Sequence, residues 1–154
     1  RLVTQTTVSS MTSPECVFCR IIAGAEPAAH VLQNESCAAF LDRHQARDRH
    51  VLVVPHDHIP AVWELSDQLA GRLFATVRQV AAAVMQAFHA PGLSIWQSNG
   101  TVAGQEIDHV HIHVQPRYPD DGILEFYRDR PARVSLEDRE RIAARIRAAQ
   151  SPST

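Results

Sequence analysis

The sequence predicts an α+β fold in which an antiparallel sheet carries helices. Short apolar runs rich in β-branched residues follow one another along the chain, with turn residues between them. Strands outnumber helices and lie mostly in succession, which favours an antiparallel sheet over a doubly wound one. One long segment, by contrast, repeats its apolar residues at helical spacing. At 154 residues the chain suits one domain with a sizeable core.

The elements follow in order. Residues 1–13 are rich in Ser and Thr, lack apolar periodicity and read as a disordered tail. Residues 14–150 are expected to form the domain, and residues 151–154 a disordered end. Residues 17–23 form a short helix leading into Gly24. Residues 30–33 are a strand, Asn34-Glu35 a turn, and residues 37–42 a second strand. Residues 43–49 make a polar, Arg-rich loop. Residues 50–55 run apolar without alternation into Pro55, the pattern of a well-buried strand. Ser66 is an N-cap, and Leu69, Leu73, Val77, Val80, Val84 and Phe88 mark one face of a helix over residues 67–89. Ala90-Pro91-Gly92 stops it. Residues 93–97 are a strand, residues 98–105 a turn-rich loop, and residues 109–117 the last strand. Residues 118–134 are irregular, and Ser135 caps a terminal Arg-rich helix over residues 136–149.

The last strand carries the chemistry. His109, His111 and His113 alternate with Val110, Ile112 and Val114. On a strand, residues i, i+2 and i+4 share a face, so the imidazoles line up roughly 6.5–7 Å apart while the apolar residues point into a core. A row of imidazoles on a rigid face can attack an electrophile, move protons near pH 7 or bind a metal. The plain alternative is an exposed polar face rich in histidine.

Composition removes several classes. The net charge of −2 argues against a surface for general nucleic-acid binding. No apolar run is long enough to span a membrane, and no charged start precedes an apolar leader, so the chain reads as cytoplasmic. All fifteen basic residues are Arg. Without Lys there is neither Schiff-base chemistry nor a P-loop, and G-x-S-x-G is absent as well. Cys16-x-x-Cys19 reads as metal or redox chemistry, but the strand that should precede a thioredoxin-like motif is missing. Cys37, among apolar residues, reads as simply buried.

The run His109-x-His111-x-His113, preceded by Ala103-Gly104-Gln105, resembles the histidine-triad (HIT) superfamily of nucleotidyl hydrolases and transferases. Residues 16–24, Ala39-Phe40-Leu41-Asp42 and residues 50–55 resemble further segments of bacterial members, so the likeness covers about residues 16–117. The resemblance implies an antiparallel five-stranded sheet with one long helix, here followed by the C-terminal helix. It also implies homodimers and hydrolysis or transfer at the α-phosphorus of a nucleotide, with a purine the expected base. The expected substrate is a nucleoside phosphoramidate or a dinucleoside polyphosphate, and the route runs through a covalent nucleotidyl-histidine. His111 would be the nucleophile, His113 would bind phosphate, and His109 completes the catalytic set. Phe18, Ile21 and Leu41 would form a slot for the base, with Asp42 on the ribose. Ser98 and Asn99 would line the sugar-phosphate side and Gln105 the phosphate side. Glu106 stands directly after Gln105, where members commonly carry Ser or Thr, and Arg49 precedes His50 where Gly is common.

Some HIT-like proteins hold structural zinc. Cys16, Cys19, His50 and His109 make a matching Cys2His2 set, which leaves no open position for catalysis. His30, His44, His56, His58 and His89 are read as surface or loop histidines. Two other functions stay open: a nucleotide-binding regulatory module with little turnover, and a metal-dependent hydrolase with zinc on the triad itself.

Overall fold

The computed structural model describes residues 12–44, 49–123 and 131–150. They gather into two compact units, one ending at Asp121 and the other starting at Gly122. The single domain expected over residues 14–150 spans both units. Residues 1–11 of the tail expected over 1–13, the expected end at 151–154 and part of the loop at 43–49 lie outside the described residues.

The first unit opens with helix α1 (Val17–Ile22), followed by strands β1 (His30–Gln33), β2 (Cys37–Leu41) and β3 (Val51–Pro55). Helix α2 (Asp67–Phe88) leads to β4 (Gly92–Trp96) and β5 (Ile112–Arg117). The five strands form one antiparallel sheet in the order β1-β2-β3-β5-β4. The expected α+β architecture is therefore present.

Alternation along the strands gives each face its own core. Cys37 and Ala39 of β2, Val51 and Val53 of β3, and Ile112 and Val114 of β5 meet Leu73, Val77, Val80 and Val84 of α2. The intervening Ala38, Phe40, Leu52 and Val54 meet Phe18, Cys19 and Ile21 around α1. This explains the unbroken apolar run of β3, which is buried throughout. Burial of a Leu or Val side chain at this interface stabilises by about 1.5–3 kcal/mol. Ser66 caps α2 by accepting from Leu69 N, and His89 ends the helix in the left-handed region. Phe88, expected on the buried face, is partly exposed at that end.

Strand β5 begins at Ile112, not at His109. His109 and His111 precede the ladder, although Val110 still packs in the α2 core. The backbone there is free to turn one imidazole away from the other two. In the second unit, Ser135 caps α3 (Leu136–Ala149) as expected, accepting from Asp138 N. No residue of α3 is buried.

Candidate active site

A cavity of about 800 Å³ opens on the α1 side of the sheet, a size suited to a small-molecule ligand. Phe18, Ile21 and Leu41 supply apolar lining, and Asp42, Ser98, Glu106, His111 and His113 supply polar lining. Phe18 is both core and cavity wall. It is 5.6 Å from the Phe40 ring and meets His111 edge-on at 5.2 Å.

The imidazoles do not form one evenly spaced row. His111 and His113 remain together with ring centroids 4.9 Å apart, while His109 turns away and is fully buried. His111 Nδ1 lies 2.7 Å from the carbonyl oxygen of His109. A carbonyl only accepts, so Nδ1 carries the proton and Nε2 keeps its lone pair on a ring that lines the cavity. His109 thus meets His111 through its backbone carbonyl, while its own ring faces away from the cavity lining.

His50 precedes β3, beside β5. Its Nε2 is 2.9 Å from His113 Nδ1, and its Nδ1 is 3.3 Å from an Asp42 carboxylate oxygen. The carboxylate favours a proton on Nδ1 of His50, so the three groups form a relay from Asp42 to the cavity. Burial pushes His113 down to about 3. It lowers His50 also, against the opposing pull of Asp42. Both rings are therefore neutral at pH 7. Trp96, the last residue of β4, lines the cavity and lies parallel to His113 at 4.5 Å.

Two expected cavity residues serve elsewhere. Gln105 accepts from Gly100 N and donates to the Pro60 carbonyl, tying two loops together. Asn99 accepts from Val62 N and exchanges hydrogen bonds with the Gln97 amide. Both amides hold the loop rim in shape, and neither residue lines the cavity. Arg43, which the sequence offers as a source of positive potential near the phosphates, lines the cavity, and so does Arg20, which the sequence did not single out.

A second cluster forms behind the first. The ligand atoms of Cys16, Cys19, His58 and His109 all lie within 4.8 Å of one another. His109 Nδ1 is 3.5 Å from Cys16 Sγ and 3.7 Å from Cys19 Sγ, and His58 Nδ1 is 3.5 Å from Cys19 Sγ. A tetrahedral ion with Zn–S and Zn–N bonds of ordinary length would set such edges at about 3.6 Å. His109 Nε2 donates to the Pro55 carbonyl at 3.0 Å, which directs the Nδ1 lone pair at the thiols. The four residues can therefore hold a tetrahedral cation.

His50 is not among them. In the β3–β5 register Val53 faces Ile112, so each step from Val53 through Pro55 approaches His109 while His50 lies at the opposite end. The chain that leaves β3 as Pro55-His56-Asp57-His58 delivers His58 to the thiols. Sequence reasoning treated His58 as a loop histidine. Its signal was a histidine pair directly after a buried strand antiparallel to the one that follows His109.

Residues 23–120 match the HIT domain family, and the chain belongs to it. It is 39% identical over 132 residues to the protein named Protein hit of Bacillus subtilis, covering 85% of this chain and 91% of the relative. It is 32% identical over 102 residues to the adenosine 5'-monophosphoramidase of Schizosaccharomyces pombe, covering 66% and 74% of the two chains. A crystal structure of a HIT-family member from Bacillus subtilis superposes with a TM-score of 0.85 at 37% identity. That match covers 90% of this chain and 99% of the other. Among the described residues, no helix is long and apolar enough to cross a membrane.

Proposed function

We propose that the chain is a nucleotidyl hydrolase or transferase acting at the α-phosphorus of a nucleoside phosphoramidate or dinucleoside polyphosphate. The supporting observation is the fixed tautomer of His111. Its Nδ1 proton is committed to the His109 carbonyl, and the lone pair on Nε2 is available to a cavity of nucleotide size. The adenosine 5'-monophosphoramidase activity named for the Schizosaccharomyces pombe relative supports the same class. A purine would occupy the slot of Phe18, Ile21 and Leu41, with Asp42 near the ribose.

In the first step His111 Nε2 bonds to phosphorus and the bond to the leaving group breaks. The relay of Asp42, His50 and His113 takes on one proton as the anionic phosphate enters, and His113 Nε2 passes it to the departing amine or phosphate. In the second step water bonds to phosphorus, the P–Nε2 bond breaks, and the proton lost by water returns to His113. A nucleoside monophosphate leaves, and His111 is restored. Transfer differs only in the acceptor that replaces water.

Zinc on Cys16, Cys19, His58 and His109 would be structural, because four protein ligands leave no open position. When bound it supplies rigidity, holding the His109 carbonyl under His111. The cluster takes one histidine of the triad, so it gives no support to a metal hydrolase built on all three. We also propose a cytoplasmic homodimer. Exposed Phe74 on α2 and Ile95 on the edge strand β4 supply apolar surface for that contact.

The test is a panel of adenosine and guanosine phosphoramidates and dinucleoside polyphosphates, with mass detection of a nucleotidyl adduct on His111. Turnover of at least one class with an adduct at that position is expected. Tight nucleotide binding without turnover would leave the regulatory reading in its place.

A further inference from the structure

We propose that Trp96 is a positioning residue of this reaction, its indole face covering the His50–His113 pair and stabilising the positive charge the pair takes on during turnover. The inference rests on the functional reading above.

Trp96 stands directly opposite His113 in the β4–β5 register. The indole is parallel to the His113 ring within 1° at 4.5 Å, and it lies 5.4 Å from the His50 ring at 19°. His50 and His113 are themselves within 19° of one plane and share a 2.9 Å hydrogen bond. The indole therefore covers a flat, hydrogen-bonded imidazole pair and is not wedged against a single ring. Trp96 also lines the cavity, so this arrangement borders the substrate space.

The charged and titratable groups that face the pair are few. Asp42, at the end of β2, lies beside His50, and His111 lies beside His113. Asp42 offsets charge at one end of the relay only. Burial disfavours charge on both rings, so a neighbouring group that stabilises the cation adds to what Asp42 and the phosphate supply. The face of an indole is the negative pole of its quadrupole, and it favours a cation stacked on it. His113 becomes cationic again as it takes the proton lost by water in the second step, and stabilisation of that developing charge acts on kcat more than on KM.

The experiment uses the full chain in a W63F background, since Trp63 is the other tryptophan and is 74% exposed, outside the cavity lining. Trp96→Leu should lower kcat for an adenosine phosphoramidate about ten- to thirtyfold while KM changes less than about threefold. Trp96→Phe, which keeps an aromatic face, should retain kcat within about threefold. Adenosine monophosphate should quench Trp96 emission in the W63F protein, and His113→Asn should remove that quenching. The emission measurement stands even if Trp96→Leu unfolds. An unchanged kcat in Trp96→Leu, a loss carried by KM, equal loss in Trp96→Phe, or emission indifferent to the nucleotide overturns the assignment to Trp96. Absence of turnover by the W63F protein and its parent alike overturns the functional reading itself, and the Trp96 role with it.

Discussion

The thiol-bearing cluster of Cys16, Cys19, His58 and His109 and the cavity cluster of Asp42, His50, His111 and His113 meet in one five-residue stretch, 109–113. Burial keeps imidazoles neutral in both: His109 is pushed down to about 4 and His113 to about 3. What differs is where the nitrogens face. His109 spends one nitrogen on the Pro55 carbonyl and turns the other to sulfur, so the ring is fully committed. His111 spends one nitrogen on the His109 carbonyl and keeps the other for the cavity. The same residue type is thus a ligand or a nucleophile according to what its second nitrogen meets. The two clusters also connect in series, since the carbonyl that orients His111 belongs to the residue whose side chain the thiols hold.

Breaking the cavity cluster should give the largest effect. His111→Ala removes the attacking lone pair, and kcat should fall at least about a thousandfold while nucleotide binding and zinc content persist. Steady-state kinetics beside equilibrium dialysis with adenosine monophosphate checks this. More than a few per cent of the original kcat would reject His111 as nucleophile.

Breaking the thiol cluster should do the reverse. Cys16→Ser should remove most of about one zinc per chain and lower Tm by roughly 5–10 °C, while kcat measured well below Tm falls only severalfold. His58→Ala should match it, and His50→Ala should leave zinc in place. Elemental analysis and calorimetry on protein purified without chelator decide between the His58 set and the His50 set.

A pH series sharpens the comparison further. The folded-state values of His113 and His50 lie below the usual imidazole value. Below about pH 6.5 the unfolded chain binds protons that the folded chain refuses, so stability is present above that pH and is lost as pH falls toward the folded values. Tm should drop by several degrees between pH 7.5 and 5. His113→Gln should show a shallower drop, because one of the refusing groups is gone. Equal slopes for the two proteins would mean that His113 takes up its proton at the same pH in the folded and unfolded chains.

Most of the fold was legible because it follows from local periodicity. The apolar faces of α2 and β3, the Ser66 and Ser135 caps and the Pro-Gly stop after Phe88 act over a few residues each. The triad was legible for the same reason, being a period-two pattern in a single segment. What failed to show depended on pairing between distant strands. His58 reaches Cys19 through the register of β3 against β5, and Gln105 and Asn99 are turned into loop contacts by Gly100, Pro60 and Val62. Trp96 read only as a strand residue, since its stacking on His113 needs the β4–β5 register.

The smallest expected effect lies at the edge of the cavity cluster, at Arg49. Its φ of 84° is in the region that favours glycine, and it directly precedes His50. An L residue held there costs about 1–2 kcal/mol. The side chain offsets part of that: its guanidinium lies 4.8 Å over the Phe88 ring and 5.7 Å from the Tyr118 ring, and it donates to the Tyr118 hydroxyl at 3.1 Å. The Tyr118 hydroxyl in turn donates to the Phe88 carbonyl. Arg49→Ala keeps the backbone strain and loses these contacts, so it should lower Tm by a few degrees. Arg49→Gly loses the same contacts and gains unfolded-state entropy, but it relieves the strain, so the two changes nearly cancel and Tm should stay close to that of the unaltered chain. The order of the two variants carries the argument. If Arg49→Gly melts below Arg49→Ala, the left-handed backbone is not strained, and the side-chain contacts alone position the residue before His50. If the expected order holds and kcat falls in both, the ring contacts on Arg49 matter to the relay as well as to stability.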